Sequence, residues 1–368
     1  MQPFIGQSDY RVLERRLTKV SGHCAMIDQG YPRGSCLVEA ADSKQKLACS
    51  ATLRHSTEKG YERLIKSLLL SRPEDYMSIY QSGCNHTCLK CHSHEFSKVV
   101  TGEWMSAEMI ADLAKRYRKD VTVFEPKEAA TSWHAHRLCR HCGACVLTGS
   151  RSEICPSKLT TDQIVLSPQG IGPARNIVAF TGGDILCKPE FYIEAAQKIK
   201  EKSKDLWVLL ETNGYGLTPR NIEAYAEGGI DSFWLDIKAY SEDIYRKLCG
   251  TTNAHILSSV QEIVNHGFTL EVLTLHIPGL VEKDEHAKIA RLISEANSGI
   301  PTTLLAFFPC YELQSPDYRA PTAQEMAESY IAMQEEGIEN LRLGNQGVFL
   351  KSDEDRQYLV DTVGPEVM

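Results

Sequence analysis

From about residue 176 onward, short apolar runs alternate with longer stretches whose apolar positions recur at helical spacing. Asn176–Thr181 (NIVAFT) is an apolar run of strand length that stops at Gly182-Gly183. Pro189–Lys202 follows, with a proline near its start and Phe191, Ala195 and Ile199 on one helical face. Leu206–Glu211 is the next strand, ending at Asn213-Gly214, and Pro219–Glu227 is a helix stopped by Gly228-Gly229. The pattern then predicts strands over Ser232–Asp236, Thr269–Leu275, Thr303–Phe308 and Asn340–Gly344. Helices are expected over Glu242–Cys249, Ala254–His266, His286–Ala296 and Ala323–Glu335. Upstream, Ser78–Ser82 reads as the first strand and Ser106–Arg118 as its helix, with Ala107, Ile110, Leu113 and Ala114 inward. Strand, helix, strand at this spacing makes parallel βα units, and right-handed crossovers build them into a barrel or an open sheet.

The rhythm breaks between residues 118 and 176, where a few residues would suffice to connect helix and strand. Residues 119–175 are therefore read as an insertion with a role of its own. Residues 1–75 read as an N-terminal subdomain with a helix over Thr57–Ser71, residues 76–345 as the α/β body, and residues 346–368 as a C-terminal tail. There is no internal repeat.

Composition changes the picture mainly through cysteine. The 368 residues carry 40 Lys+Arg against 48 Asp+Glu, a net charge of −8, which gives no basic face for nucleic acid. No apolar run approaches the ~18–20 residues of a membrane span, and Met1-Gln2-Pro3-Phe4-Ile5-Gly6 lacks the layout of a signal peptide. The expectation is a soluble, cytoplasmic protein. Thirteen cysteines is a high and odd number, unlike a secreted disulfide framework. Seven fall into two tight groups, and thiols two or three residues apart can converge on a metal where a disulfide would be strained. Such a chain needs a reducing, anaerobic cell.

Cys84, Cys88 and Cys91 form C-x3-C-x2-C just after the first expected strand. Three thiolates at this spacing can hold three irons of a [4Fe–4S] cluster and leave the fourth open to chelate a ligand. A zinc knuckle completed by His86, His92 or His94 is the alternative, because thiolate-rich spacing leaves the metal ambiguous. The turns after the later strands each have a bland reading alone: Gly182-Gly183 and Asn213-Gly214 as tight turns, Asp236 and Lys238 as a same-face ion pair. All of them fall at C-terminal strand ends, the rim where parallel α/β folds bind ligands.

The cysteine triad resembles the signature of the radical S-adenosylmethionine (SAM) superfamily. Thr181-Gly182-Gly183-Asp184 is similar to its Gly-Gly-Glu segment. Glu211-Thr212-Asn213-Gly214 and Leu235-Asp236-Ile237-Lys238 resemble segments of the pyruvate formate-lyase activating enzymes, within the glycyl-radical activating group. His276-Ile277-Pro278-Gly279-Leu280, Phe308-Pro309-Cys310-Tyr311-Glu312-Leu313 and Pro321-Thr322 have counterparts there too. The resemblance implies a partial (β/α)6 barrel of the TIM type. It implies a SAM-binding [4Fe–4S] cluster on Cys84, Cys88 and Cys91, with Gly182 and Gly183 offering backbone carbonyls to the SAM ammonium and Lys238 pairing with its carboxylate. Asp184, Glu211, Thr212, Asp236 and Tyr311 would line the same pocket, with a monovalent cation beside Glu211, Thr212 and Asp236. The chain departs from the family pattern at Lys90 (usually aromatic), Asp184 (usually Glu) and Tyr311 (a His in the activating enzyme).

Cys139, Cys142, Cys145 and Cys155 make C-x2-C-x2-C-x9-C-P, which resembles a ferredoxin run with a lengthened last gap. Four thiolates close one site, either an auxiliary [4Fe–4S] cluster for electron relay or a mononuclear four-cysteine metal that pins the loop. Cys24, Cys36 and Cys49, with His23, are spaced loosely enough to be a third metal site or simply buried thiols. Cys187 and Cys310 follow strand ends at the rim, and Cys249 reads as core.

The activity implied by the resemblance is reductive cleavage of SAM to methionine and a 5′-deoxyadenosyl radical that abstracts hydrogen from a protein substrate, a glycyl-radical enzyme first. The electron would come from a flavodoxin or ferredoxin-type reductant. The alternatives are a radical SAM enzyme acting on a small metabolite and a non-catalytic iron–sulfur electron carrier.

Overall fold

The computed structural model describes residues 23–40 and 42–365. Its centre is a ten-stranded sheet built from β1 (Leu53–Ser56), β2 (Gly60–Leu70), β3 (Met77–Gln81), β4 (Glu103–Ser106), β5 (Ile177–Gly182), β6 (Trp207–Thr212), β7 (Ser232–Asp236), β8 (Thr269–His276), β9 (Thr302–Ala306) and β10 (Leu341–Gly344). The order is β10-β9-β8-β7-β6-β5-β3-β2-β1, with β4 added on β2. Every pairing from β3 through β10 along this path is parallel, so seven strands end on the same edge of the sheet. All seven lie where the apolar runs place them. The fold is a mixed α/β one, and none of its helices is long and apolar enough to cross a membrane, among the described residues.

The helices follow from ordinary start signals. α1 (Ala107–Tyr117) opens with the Ser106 hydroxyl accepting from the Met109 N–H, and α2 (Glu190–Lys202) packs against it. α3 (Pro219–Glu227) has Thr218 as cap and proline at its first turn. α4 (Glu242–Cys249), α5 (Ala254–Asn265) and α6 (Lys283–Asn297) follow, and α7 (Ala323–Glu335) starts in a Thr322/Glu325 capping box. The expected tail contains α8 (Asp353–Val363), which packs on α7. Alternate residues of the parallel strands face these helices; the others, including Ile177, Ala179 and Leu209, make a second cluster on the opposite face around Tyr76.

The helix expected over Thr57–Ser71 is corrected by the structure. That stretch is a turn and then the eleven-residue strand β2. Tyr61, Leu64, Ile65 and Leu68 mimic a helical face. Gly60 at φ +66° closes a hairpin with β1, and the strand then pairs with β1, β4 and β3 in succession. Backbone pairing offered by three neighbours outweighs a helix propensity worth tenths of a kcal/mol per residue.

The insertion runs along the N-terminal ends of the parallel strands. Thr122 and Val123 donate N–H groups to the Ala174 carbonyl beside β5, the Trp207 indole at the start of β6 donates to the Glu125 carbonyl, and Thr269 at the start of β8 donates to the Lys127 carbonyl. Ser132 and Trp133 donate their N–H groups to Glu271 on β8, and Arg342 on β10 donates to the Trp133 carbonyl. The edge opposite the strand C-termini is thus covered by residues 119–175.

Candidate active site

The first cysteine group leaves the C-terminal end of β3 and is folded against the equivalent ends of its neighbours. Asn85 donates to Asp184 Oδ1 (3.3 Å) after β5, and Asn213 after β6 donates both to Asn85 Oδ1 (2.7 Å) and to Cys84 Sγ (3.7 Å). His86 bridges Asn85 Oδ1 and Tyr245 on α4, while the Thr87 and Leu89 N–H groups bond to carbonyls of Cys249 and Leu248 at the end of that helix. Cys88 Sγ and Cys249 Sγ lie 3.8 Å apart in a thiol–thiol contact, and Ser97 Oγ lies 3.2 Å from Cys91 Sγ. Asp236 and Lys238, two apart after β7, form an ion pair, and Lys238 lines a cavity with Cys88, Lys90, Cys249, Leu275 and Ile277. The structure therefore gathers the triad, Asp184, Asp236 and Lys238 at one edge.

Two glycines shape that edge. Gly182 has φ +87°, and a Cβ on Gly183 would lie 2.3 Å from the Gly83 carbonyl oxygen, so the β3 and β5 turns touch through backbone. The Gly182-Gly183 backbone is accordingly presented beside the triad, a cradle that a side chain would fill.

Other expected residues are placed differently. Thr212 and Glu211 are strand neighbours and point to opposite faces. The Thr212 hydroxyl donates to Asp184 Oδ2 at 2.6 Å, so it braces that carboxylate, while Glu211 accepts from Tyr76 (3.0 Å) and Thr181 (2.5 Å) on the interior face. Tyr311, at φ +52°, stacks on His94 at 4.5 Å, and the charges of Cys91 and Lys90 both act on Cys310. Lys90 is inside the cavity, 5.6 Å from the Phe308 ring centroid. Sequence reasoning missed Asn85, Asn213 and Cys249 as neighbours of the sulfurs. Asn85 lies within the triad itself, whereas nothing local to Cys249 signals its role.

Burial and the neighbouring charges act in opposite senses on the groups at this edge. Burial holds Cys84 up at about 12, and burial with the Lys238 charge pulls Lys90 down to about 8. Burial also opposes the Lys238 ammonium, but Asp236 and Cys88 outweigh it and keep its pKa raised. The hydrogen bond between the two thiols makes Cys88 the more readily ionised of that pair. Soft sulfur donors, polar groups aimed at them and a neighbouring cation fit a thiolate-held iron–sulfur group.

The second cysteine group lies at the other end of the strands. Its His141 bonds to Asp75 (2.9 Å), just before β3, and a donor reaches three of its sulfurs: the His141 N–H on Cys139 (3.3 Å), Ser152 on Cys142 (3.2 Å) and Arg151 on Cys155 (3.5 Å). Among the described residues, no three Cys, His, Asp or Glu side chains meet at a single-ion position.

Glu211 gives a pH prediction. Burial raises its carboxyl from 4.5 to about 8, so between these values the folded chain holds a proton that the unfolded chain has lost. Its contribution to stability is complete below about 4.5 and falls as pH rises through about 8. Glu211→Gln should abolish this loss, so that the variant gains on wild type by a few kcal/mol between pH 6 and 8.5 in urea unfolding. Parallel curves would refute the assignment.

The fold and this edge describe an α/β protein with its reactive side chains on the strand C-termini. Residues 135–293 match the family model of the Radical SAM superfamily, so this segment is similar to a radical SAM domain. The matched segment contains the second cysteine group and the edge from Gly182 to Lys238, and starts beyond Cys91. The chain is 30% identical over 97 residues to a Methanocaldococcus jannaschii protein provisionally named a glycyl-radical enzyme activating enzyme, covering 25% of this chain and 36% of that one. It is 26% identical over 154 residues to the pyruvate formate-lyase-activating enzyme of Clostridium pasteurianum, covering 40% and 63%. The chain thus spans from about a third to just under two thirds of these relatives. A solved domain of the pyruvate-formate lyase-activating enzyme from Bacteroides vulgatus aligns with TM-score 0.38 and 14% identity over 46% of this chain and 98% of that one.

Proposed function

We propose that the chain reductively cleaves SAM and uses the resulting radical to activate or modify a protein, as a glycyl-radical activase does. The observation that carries this reading is the meeting of Cys84, Cys88 and Cys91 with the Gly182-Gly183 backbone and the Asp236–Lys238 pair on one strand edge. Cys84, Cys88 and Cys91 would hold a [4Fe–4S] cluster, whose chemistry would be to supply one electron to the sulfonium of bound SAM, giving methionine and a 5′-deoxyadenosyl radical. Lys238 would pair with the SAM carboxylate, and the Gly182 and Gly183 carbonyls would accept from its ammonium. Asp184, fixed by Thr212 and Asn213, keeps the triad loop in register. Asp236 would supply a carboxylate for a monovalent cation. The buried walls exclude water from the reacting carbon.

In this reading the parallel strands of residues 76–345 form a partial barrel. The 119–175 insertion carries an auxiliary metal on Cys139, Cys142, Cys145 and Cys155, and a flavodoxin or ferredoxin-type donor reduces the enzyme. Similarity to activating enzymes supports a protein substrate. The test is anaerobic: the chain is reconstituted with iron and sulfide, reduced with dithionite and given SAM, and 5′-deoxyadenosine is measured by mass spectrometry. Formation of the nucleoside is expected. None from a fully iron-loaded chain would sink the reading in favour of an electron carrier.

A further inference from the structure

Four cysteines outside both groups surround one cavity. Cys24 caps a short helix (Ala25–Asp28), Cys36 precedes a small hairpin (Leu37–Glu39 with Gln45–Leu47), Cys49 lies on the helix Ala48–Thr52, and Cys187 follows β5. All four line the same space, with Met26, Tyr215 and Asn85 among its other walls, and the empty volume between the atoms is about 360 Å³ including the mouth. Cys36 and Cys187 are 8% and 9% exposed. None of the four is in a disulfide.

Sequence separation makes chance assembly a poor account. Three thiols come from within 26 residues, and the fourth arrives from beyond residue 180 on the far side of the triad loop. His23, the residue that the sequence adds to this group, turns away into a 2.8 Å contact with Asp28. What remains is an all-sulfur donor set. The thiols stand around a cavity rather than at a point, consistent with the absence of a single-ion position among the described residues. A mononuclear metal needs its ligands within ~2.3 Å of one centre. A cubane spreads its four thiolates over the corners of a larger body.

We infer that Cys24, Cys36, Cys49 and Cys187 bind a further polynuclear iron–sulfur cluster of the [4Fe–4S] type. Asn85 ties it to the triad: its residue lines this cavity, and its amide oxygen accepts from Asn213, which also donates to Cys84 Sγ. Asn85, the residue after Cys84, is thus shared by the cavity wall and the triad loop.

The experiment counts metal in the full chain, reconstituted anaerobically. Cys36→Ala and Cys187→Ser should each carry about four fewer iron and four fewer sulfide per chain than wild type, with unchanged circular dichroism. The Mössbauer area of [4Fe–4S] sites should fall in proportion. Unchanged iron overturns the proposal, and so does loss of about one metal ion without sulfide. Should either variant misfold, alkylation of the wild-type chain decides. Iodoacetamide is expected to label the half-buried Cys24 and Cys49 in the metal-stripped chain and to spare them in the loaded one. Equal labelling in both overturns the proposal. None of these readouts depends on SAM cleavage, so they stand or fall apart from the proposed activity.

Discussion

Cys88→Ala is expected to reduce 5′-deoxyadenosine formation to the level of a protein-free blank. Cys88 is the middle thiol of the triad, so its loss leaves two donors on a loop that offers no replacement. Cys249 is 3.8 Å from it but sits at the end of α4, and burial keeps its pKa raised well above the usual thiol value. The adjacent Lys238 charge would lose the thiolate that it faces and keep only Asp236. A Cys142→Ala chain makes the informative comparison. The parallel strands between the two cysteine groups are four to eight residues long, which at ~3.3 Å per residue separates the groups by roughly 13–26 Å. Dithionite reaches the triad without passing through the insertion. Cys142→Ala should therefore lose a comparable amount of iron and still form the nucleoside. Nucleoside from Cys88→Ala would remove the triad from the mechanism, and its loss in both variants alike would mean that the two groups act as one unit.

The parallel body was legible because its signals are local and repeated. Buried strands such as Asn176–Thr181 are continuous apolar runs ended by glycine, and each helix announces its start through Ser106, Thr218 or Thr322. The triad and the turn residues were legible because they are short and ordered along the chain. What escaped depends on contacts that spacing does not encode. β2 is a strand because three neighbours pair with it, although its Tyr61, Leu64, Ile65 and Leu68 fall at helical intervals. Glu211 and Thr212 read as one cluster in sequence, yet the pleat sends them to opposite faces. Cys187 was visible as a thiol after a strand, but its three partners lie more than 130 residues earlier. The opposite placement of the insertion has the same origin. Its anchors, Arg72, Asp75 and Glu271, are ordinary charged residues until the fold brings them to the strand N-termini.

Arg175→Met is expected to cost about 3–5 kcal/mol of stability, because it leaves a buried ion pair and several carbonyls without their donor. Arg175 is fully buried just before β5, and its guanidinium holds the insertion from inside. Nε pairs with Glu125 (2.5 Å), Nη1 donates to the Thr131 (2.7 Å) and Glu74 (3.1 Å) carbonyls, and Nη2 donates to the Ala129 carbonyl (2.6 Å). Its own carbonyl accepts from Tyr117 on α1 at 2.5 Å, so one residue joins helix, insertion and strand entrance. Methionine keeps much of the volume, which limits the cavity cost and isolates the polar loss. Lysine could satisfy one of the four acceptors and should recover only part of the stability. Urea unfolding measures the total, and limited proteolysis shows where it is lost. If residues 119–175 are the part that Arg175 secures, Arg175→Met should become susceptible to cleavage there before the rest of the chain unfolds. A loss below about 1 kcal/mol with no new cleavage would mean that Arg72 and Glu271 hold the insertion without it. The triad is separated from this clamp by the length of the strands, so under the proposed function the surviving folded fraction of Arg175→Met should still cleave SAM under dithionite.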